Sequence, residues 1–369
     1  MDGSITILRV FGIPIRVHYS WLIVFGLITW DLAFRYFPEA YPSLSPPAAI
    51  VTGILATVLL FSSILLHELS HSLVALRSHV PISSITLFIF GGVARMDEEP
   101  HGPGEELAIA AAGPLTSFVL SFVFHLIHLS DLSAFLWVKA LSRYLAFVNL
   151  FLGLLNLLPG FPLDGGRIVR AVLWYFFKDL RRATKYASRL GQGVALLFAV
   201  GGVWHLFLRH FLEGVWLLFL GWFLDQAART GYRQILAREA LGALKVRDIM
   251  TPLVDTIPAD TSLDEAADRY FLPLRHKWLP VMDENLVTGL VALSDLRKVE
   301  KSLWSEKKIR DVMTPISRVV CAAPDESAYE ILGRMAAWGV GLIPILSEGM
   351  VVGVVTRGDL SRVLQVRGD

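Results

Sequence analysis

Apolar residues fill the first two-thirds of the chain in long runs that polar residues interrupt only briefly. A helix needs about 20 mostly apolar residues to cross the hydrocarbon of a bilayer. Six stretches meet that requirement, at about 19–37, 48–76, 107–129, 132–158, 190–208 and 211–227. The fourth carries Lys139 and Arg143 in its first half, so its uninterrupted portion is 144–158 and the two cations are set to snorkel toward headgroups. Between the second and third stretches, 82–96 reads ISSITLFIFGGVARM. That is β-branched and aromatic with a Gly-Gly break, the pattern of a short β-hairpin. Lipid cannot satisfy strand backbone, so the hairpin must lie outside the hydrocarbon or line a protein cavity. From Arg229 onward charges are interspersed at the density of a water-soluble domain. The pattern predicts an α-helical polytopic membrane domain over 1–228, a linker over 229–245 and a soluble α/β domain over 246–369.

The soluble part repeats itself. DIMTP at 248–252 returns as DVMTP at 311–315, and GLVALSDL at 289–296 returns as GVVTRGDL at 353–360, offsets of 63 and 64 residues. Two separate blocks with matching offsets mark an internal duplication, with copies at about 246–301 and 309–369. Each copy places a helical stretch before two short β-branched runs.

Composition sharpens this reading. Of 369 residues, 54% are hydrophobic and 18% charged, which fits a membrane protein better than a soluble one. The formal net charge of +1 argues against a nucleic-acid partner. The single cysteine, Cys321, excludes an intramolecular disulfide and a cysteine-rich metal site, so any metal must be held by histidine and carboxylate. The first 17 residues lack the layout of a cleavable signal, and the first apolar run reads as a retained helix. Seven Lys and Arg residues fall within 159–189 and none within 129–133. The basic side is expected in the cytoplasm, which places both termini and the soluble domain there, in a cell membrane.

The chemistry concentrates at the end of the second apolar stretch, in His67-Glu68-Leu69-Ser70-His71. Positions i and i+4 share one helix face, so both imidazoles can meet one ion while Glu68 reaches a water beside it. Ionisable groups there are costly unless paired, metal-bound or hydrated; the competing reading is a helix that has emerged into water. A catalytic zinc usually takes three protein ligands, so a third is required. Asp164 in NLLPGFPLDGG (156–166) stands out, because the prolines break the helix and the glycines admit close backbone approach. The residues alone leave it either a ligand or the cap of a following helix. His125, His128 and Asp31 read as interfacial, and the ten tryptophans as interface belts.

HELSH together with NLLPGFPLDGG resembles the paired signatures of the site-2 protease family of intramembrane metalloproteases, in the branch with C-terminal tandem CBS domains. FGGVAR at 90–95 and AAGPLTS at 111–117 extend the likeness over most of the first 228 residues. The resemblance implies one Zn2+ per chain on His67, His71 and Asp164, Glu68 as catalytic base, and a membrane-anchored protein substrate cut by regulated intramembrane proteolysis. The chain has no room at 129–133 for the PDZ domain that some relatives carry. It also has Ser117 where family members often have Asn, so a polar contact there must be weaker or differently made. In CBS pairs an adenine nucleotide often lies between the repeats. Carried over, Thr356 and Asp359 fit the ribose-contacting pattern, as does Asp295, whereas Ala292 replaces the hydroxyl residue in the first copy. The alternative is that the pair only packs or dimerises, and a homodimer through the CBS domains is the oligomer that the resemblance implies in either case. A CBS-containing channel or transporter, or a catalytically silent metal-binding homologue, are the rival readings of the whole chain.

Overall fold

The computed structural model describes residues 3–89, 91–96, 98–252, 255–274, 278–284, 286–347 and 350–367. Phe90, at the start of the FGGVAR motif, lies outside the described residues. The chain divides into two compact units, Met1–Arg233 and Gln234–Asp369.

In the first unit, six helices are long and apolar enough to cross a membrane, among the described residues. Helix α1 (Ser20–Asp31) continues through irregular turns to Ala40. It is followed by α2 (Pro46–Arg77), α3 (Pro103–Leu129) and α4 (Leu136–Asn156). A shorter helix, α5 (Asp164–Phe177), precedes α6 (Leu180–Phe207) and α7 (Phe211–Gly242). Helices α2 and α3 begin at Pro46 and Pro103, where the missing N–H costs nothing. Helix α6 starts ten residues before the sequence expectation because Asp179 caps it, accepting from the Arg182 N–H at 3.0 Å. Helix α4 starts later than expected, since Asp131–Ala134 forms a 3-10 turn first.

The hairpin expected at 82–96 is present as β3 (Ile82–Phe88) and β4 (Gly91–Met96), paired antiparallel. It belongs to a larger sheet. The N-terminal segment, not read as strand from the sequence, forms β1 (Ser4–Val10) and β2 (Ile13–His18), and β2 lies parallel to β3 in the order β1-β2-β3-β4. Ile13, Ile15 and Ile85 from this sheet bury against Leu69 of α2, which fixes the sheet beside the HELSH turn. A second difference concerns the linker: α7 continues to Gly242, because that stretch is rich in Ala, Leu, Arg and Glu and has no proline.

The second unit contains two sheets whose pairing is reciprocal. The strands are β5 (Thr251–Pro252), β6 (Ile257–Pro258), β7 (Trp278–Asp283), β8 (Leu286–Ala292), β9 (Thr314–Pro315), β10 (Leu342–Ser347) and β11 (Met350–Thr356). The sheets run β6-β7-β8-β9 and β10-β11-β5. Each copy therefore lends its Thr-Pro strand to the other. Gly289 and Gly353 admit the visitors: a Cβ on either would lie 2.7 Å from Thr314 O or 2.8 Å from Thr251 O. The copies also exchange core residues, with Val246 packed in the second copy's core and Ile309 in the first's.

Candidate metal centre

Within α2, the i, i+4 spacing brings the imidazoles of His67 and His71 onto one buried face. Their Nε2 atoms lie 3.2 Å apart. Asp164, 97 and 93 residues later, places Oδ2 at 3.1 Å from His67 Nε2 and 3.2 Å from His71 Nε2. The other ring nitrogens are committed elsewhere. His71 Nδ1 lies 2.6 Å from the Ile109 carbonyl, which can only accept, so that nitrogen carries the proton. His67 Nδ1 lies 2.9 Å from Ser117 Oγ. His71 therefore turns a bare Nε2 lone pair toward the carboxylate oxygen, and His67 does the same when the Ser117 hydroxyl accepts from its Nδ1. Two imidazole nitrogens and a carboxylate oxygen, the donor set of a zinc site, then converge on one point. Donors about 2.0–2.1 Å from a tetrahedral zinc stand roughly 3.3–3.4 Å from each other, close to the spacings here.

Room for an ion comes from Gly113 on α3. A Cβ on Gly113 would run into Nε2 of both His71 and His67. His67, His71 and Asp164 form the single His/Cys/Asp/Glu group among the described residues with metal-holding geometry.

Local structure explains why Asp164 faces inward. It opens α5, but Leu163 is the capping residue and makes no side-chain cap, so the carboxylate is not spent on helix N–H groups. Gly165 and Gly166 sit where any side chain would strike backbone of Leu157, Leu158, Gly160 and Phe161, and Gly160 meets Gly191 of α6 in the same way. Helix α5 is then tied down by Arg170, which donates from Nε to Glu106 Oε1 at 2.5 Å and from Nη2 to Glu99 Oε2 at 3.1 Å. Its guanidinium also lies over the Phe161 ring, 5.2 Å from the centroid. Burial works against the Arg170 charge, but Glu106 and Glu99 outweigh it and raise the guanidinium above its ordinary value.

Glu68 points to the sheet. Its Oε2 accepts from the Ala94 N–H of β4 at 3.2 Å, and a Cβ on Gly92 would lie 2.6 Å from Glu68 Cγ. The Gly-Gly step of the hairpin thus lets β4 pass directly over the carboxylate.

Sequence reasoning identified the three convergent residues and Glu68. It did not find the Ile109 carbonyl, the role of Gly113 or the Arg170–Glu106 pair. The "differently made" contact expected at Ser117 is a direct one to His67. In the soluble unit a cleft of about 880 Å³ is lined by Asp295, Ser294, Thr356 and Arg357. Asp359 is not among its lining residues; its Oδ2 accepts from Thr356 N at 3.0 Å and Oγ1 at 2.6 Å.

A profile of peptidase family M50 matches residues 55–135 and 126–200, and one of the CBS domain matches 246–302 and 309–366. Rip3 of Mycobacterium tuberculosis, a protein assigned as a zinc metalloprotease, is 38% identical over 382 residues, covering 99% of this chain and 94% of the relative. The chain belongs to peptidase family M50. This M50 chain is also 29% identical to zinc metalloprotease MJ0392 of Methanocaldococcus jannaschii, over 99% of its own length and 97% of the relative's. A solved site-2 protease from the same organism aligns at 30% identity with a TM-score of 0.42, covering 62% of the M50 chain and 95% of that structure. On the two profile matches, the likeness to Rip3 over nearly its whole length and the six helices able to cross a membrane among the described residues, the M50 chain is a multi-pass zinc metalloprotease with a tandem CBS unit.

Proposed function

We propose that the chain is an intramembrane endopeptidase that cuts membrane-anchored proteins, with His67, His71 and Asp164 holding one zinc ion and Glu68 serving as general base. The observation that carries the reading is the convergence of three potential ligand atoms, two imidazole nitrogens and a carboxylate oxygen, at 3.1–3.2 Å. When bound there, zinc supplies an acidified water and polarises a carbonyl. The protein's own groups do the rest. Glu68 accepts the proton from the attacking water and returns it to the leaving amine. Ser117 and Ile109 hold the imidazoles in the tautomer that exposes Nε2. A helical substrate hides its carbonyls in i to i+4 hydrogen bonds and must unwind before cleavage. Strand β4, last in its sheet and lying over Glu68, is suited to receive the unwound segment as an added strand. Crosslinks from a stalled substrate that consistently missed 82–96 would refute that clamp. The seven cations within 159–189, around Asp164, favour a cytoplasmic opening.

The test compares purified wild-type protein with Glu68→Gln and Asp164→Asn. Metal analysis should give about one zinc per chain in the first two and little in the third, with cleavage of a membrane-spanning substrate in wild type alone. Cleavage that survives in Glu68→Gln would remove the mechanism.

A second proposal concerns regulation. The cleft that brings Asp295 of one copy together with Thr356 of the other is large enough for an adenine nucleotide, and both residues match the nucleotide pattern. Titration of ATP, ADP and AMP against the full chain tests it, and a flat response to all three would dismiss it.

A further inference from the structure

A second polar group lies at the opposite end of α4 from Asp164. A shallow groove between α3 and α4, of about 430 Å³, is lined by His125 and His128 from α3 and by Arg143, Ala146, Phe147 and Leu150 from α4. Two hydrogen bonds fix its register. His128 Nδ1 lies 3.3 Å from the Lys139 carbonyl near the membrane face, and Ser121 Oγ donates to the Ala146 carbonyl at 2.7 Å further in. The groove is therefore polar at its outer end, where His128, His125 and Arg143 stand. It becomes apolar inward, along Phe147 and Leu150, which are 65% and 43% exposed.

Arg143 lies seven residues into α4, about 10 Å along its axis from the helix start. A guanidinium at that depth is costly in lipid unless it snorkels outward, and an anion that meets it in the groove lowers the cost further. Among the described residues no carboxylate forms an ion pair with Arg143 or Lys139. These cations also run against the concentration of basic residues at the other membrane face, which sets them apart from ordinary orientation signals.

We propose that this groove binds one anionic diacyl phospholipid, its phosphate on Arg143 and His128 and an acyl chain along Phe147 and Leu150. Charge complementarity selects the headgroup: a guanidinium pairs with phosphate through two parallel hydrogen bonds, and the imidazoles add donors when protonated. The apolar inner half selects a lipid over a free anion, because only a lipid covers Phe147 and Leu150. The site is separate from the metal centre, so its failure leaves the protease reading untouched.

The test is native mass spectrometry of full-length protein released from nanodiscs that contain phosphatidylglycerol and phosphatidylcholine. Wild type should retain one phosphatidylglycerol in preference to phosphatidylcholine. Arg143→Gln should lower that retention roughly ten-fold, the loss of one charge-assisted pair. Arg143→Lys should restore part of it, and Phe147→Ser should weaken it without removing the headgroup preference. Equal retention of the two lipids by wild type would overturn the proposal, as would unchanged retention in Arg143→Gln. Displacement of the lipid by millimolar glycerol phosphate would reassign the groove to a free anion. If Arg143→Gln does not fold, the lysine and serine variants decide the matter, and no change in either refutes it.

Discussion

Ser117 Oγ lies 2.9 Å from Nδ1 of His67, fifty residues away, and both side chains are buried. The contact fixes which nitrogen of His67 faces Asp164. Groups that orient a ligating histidine typically change metal affinity by about 10–100-fold when removed. Ser117→Ala should therefore weaken zinc binding by that factor while leaving the helices in place. Competition with a zinc-chelating dye measures it, and unchanged affinity would show that Ile109 and packing alone orient the pair.

Gly113 should tolerate no side chain. Alanine is the better helix former by about 1 kcal/mol, which offsets part of the overpacking cost of about 1–3 kcal/mol where its Cβ pushes the imidazoles aside, so Gly113→Ala should still fold. Its Cβ, however, would occupy the space in front of both Nε2 atoms. The expected result is a well-folded protein with almost no bound metal, read by circular dichroism alongside elemental analysis.

The Arg170–Glu106 pair is almost wholly buried, at 5% and 0% exposure. Removing one partner of such a pair leaves an uncompensated charge and costs about 3–5 kcal/mol, whereas replacing both with apolar residues is often neutral. Arg170→Met alone should lower the thermal unfolding temperature in detergent sharply. The double variant Arg170→Met with Glu106→Met should recover most of the loss. A double variant as unstable as the single one would mean that the charges do more than fasten α5.

The soluble unit should lose stability in acid through two symmetric contacts. Lys308 Nζ donates to Asp260 and Lys245 Nζ to Asp325, each at 2.9 Å, so each copy grips the other. These hydrogen bonds, with Arg310 and Arg247 nearby, hold both carboxyls below the usual carboxylate range. A depressed carboxyl stabilises the fold at neutral pH, and that contribution disappears as pH falls through the unfolded value toward the folded one. Wild type should therefore unfold at a higher temperature than the variant carrying Asp260→Asn and Asp325→Asn at pH 7. The gap should close in acid below the carboxylate range. A gap independent of pH would point to packing instead of charge.

Reciprocal strand exchange makes a further demand. Gly289→Ala would press a methyl group against Thr314 O and Met313 Sδ, and Gly353→Ala against Thr251 O and Met250 Sδ. Each should destabilise the soluble unit by about 1–3 kcal/mol, an ordinary overpacking cost. Chemical denaturation followed by tryptophan fluorescence measures the change. Equal stability of the variants would show that the visiting strands can move aside.

Much of this molecule is written in local pattern. Apolar run length is a property of consecutive residues, and it located the six helices that, among the described residues, are long and apolar enough to cross a membrane. The i, i+4 spacing put His67 and His71 on one face before any packing was known, and the 63- and 64-residue offsets exposed the duplication. What the chain order could not reveal was anything fixed by distant segments. Phe11-Gly12 does turn β1 back on β2, with Val10 opposite Ile13, but the strands on either side carry no clear alternation, and the parallel pairing of β2 with β3, seventy residues on in the case of Ile15 and Ile85, has no trace in local pattern. Asp164 could be a ligand or a cap on sequence grounds. Only the approach of glycine-lined backbone at Gly160, Gly165, Gly166 and Gly191, with Arg170 clamped on Glu106, turned its carboxylate toward the histidines. Side-chain periodicity is set by each segment's own geometry, whereas the meeting of acceptors 93 and 97 residues apart depends on where whole helices can touch.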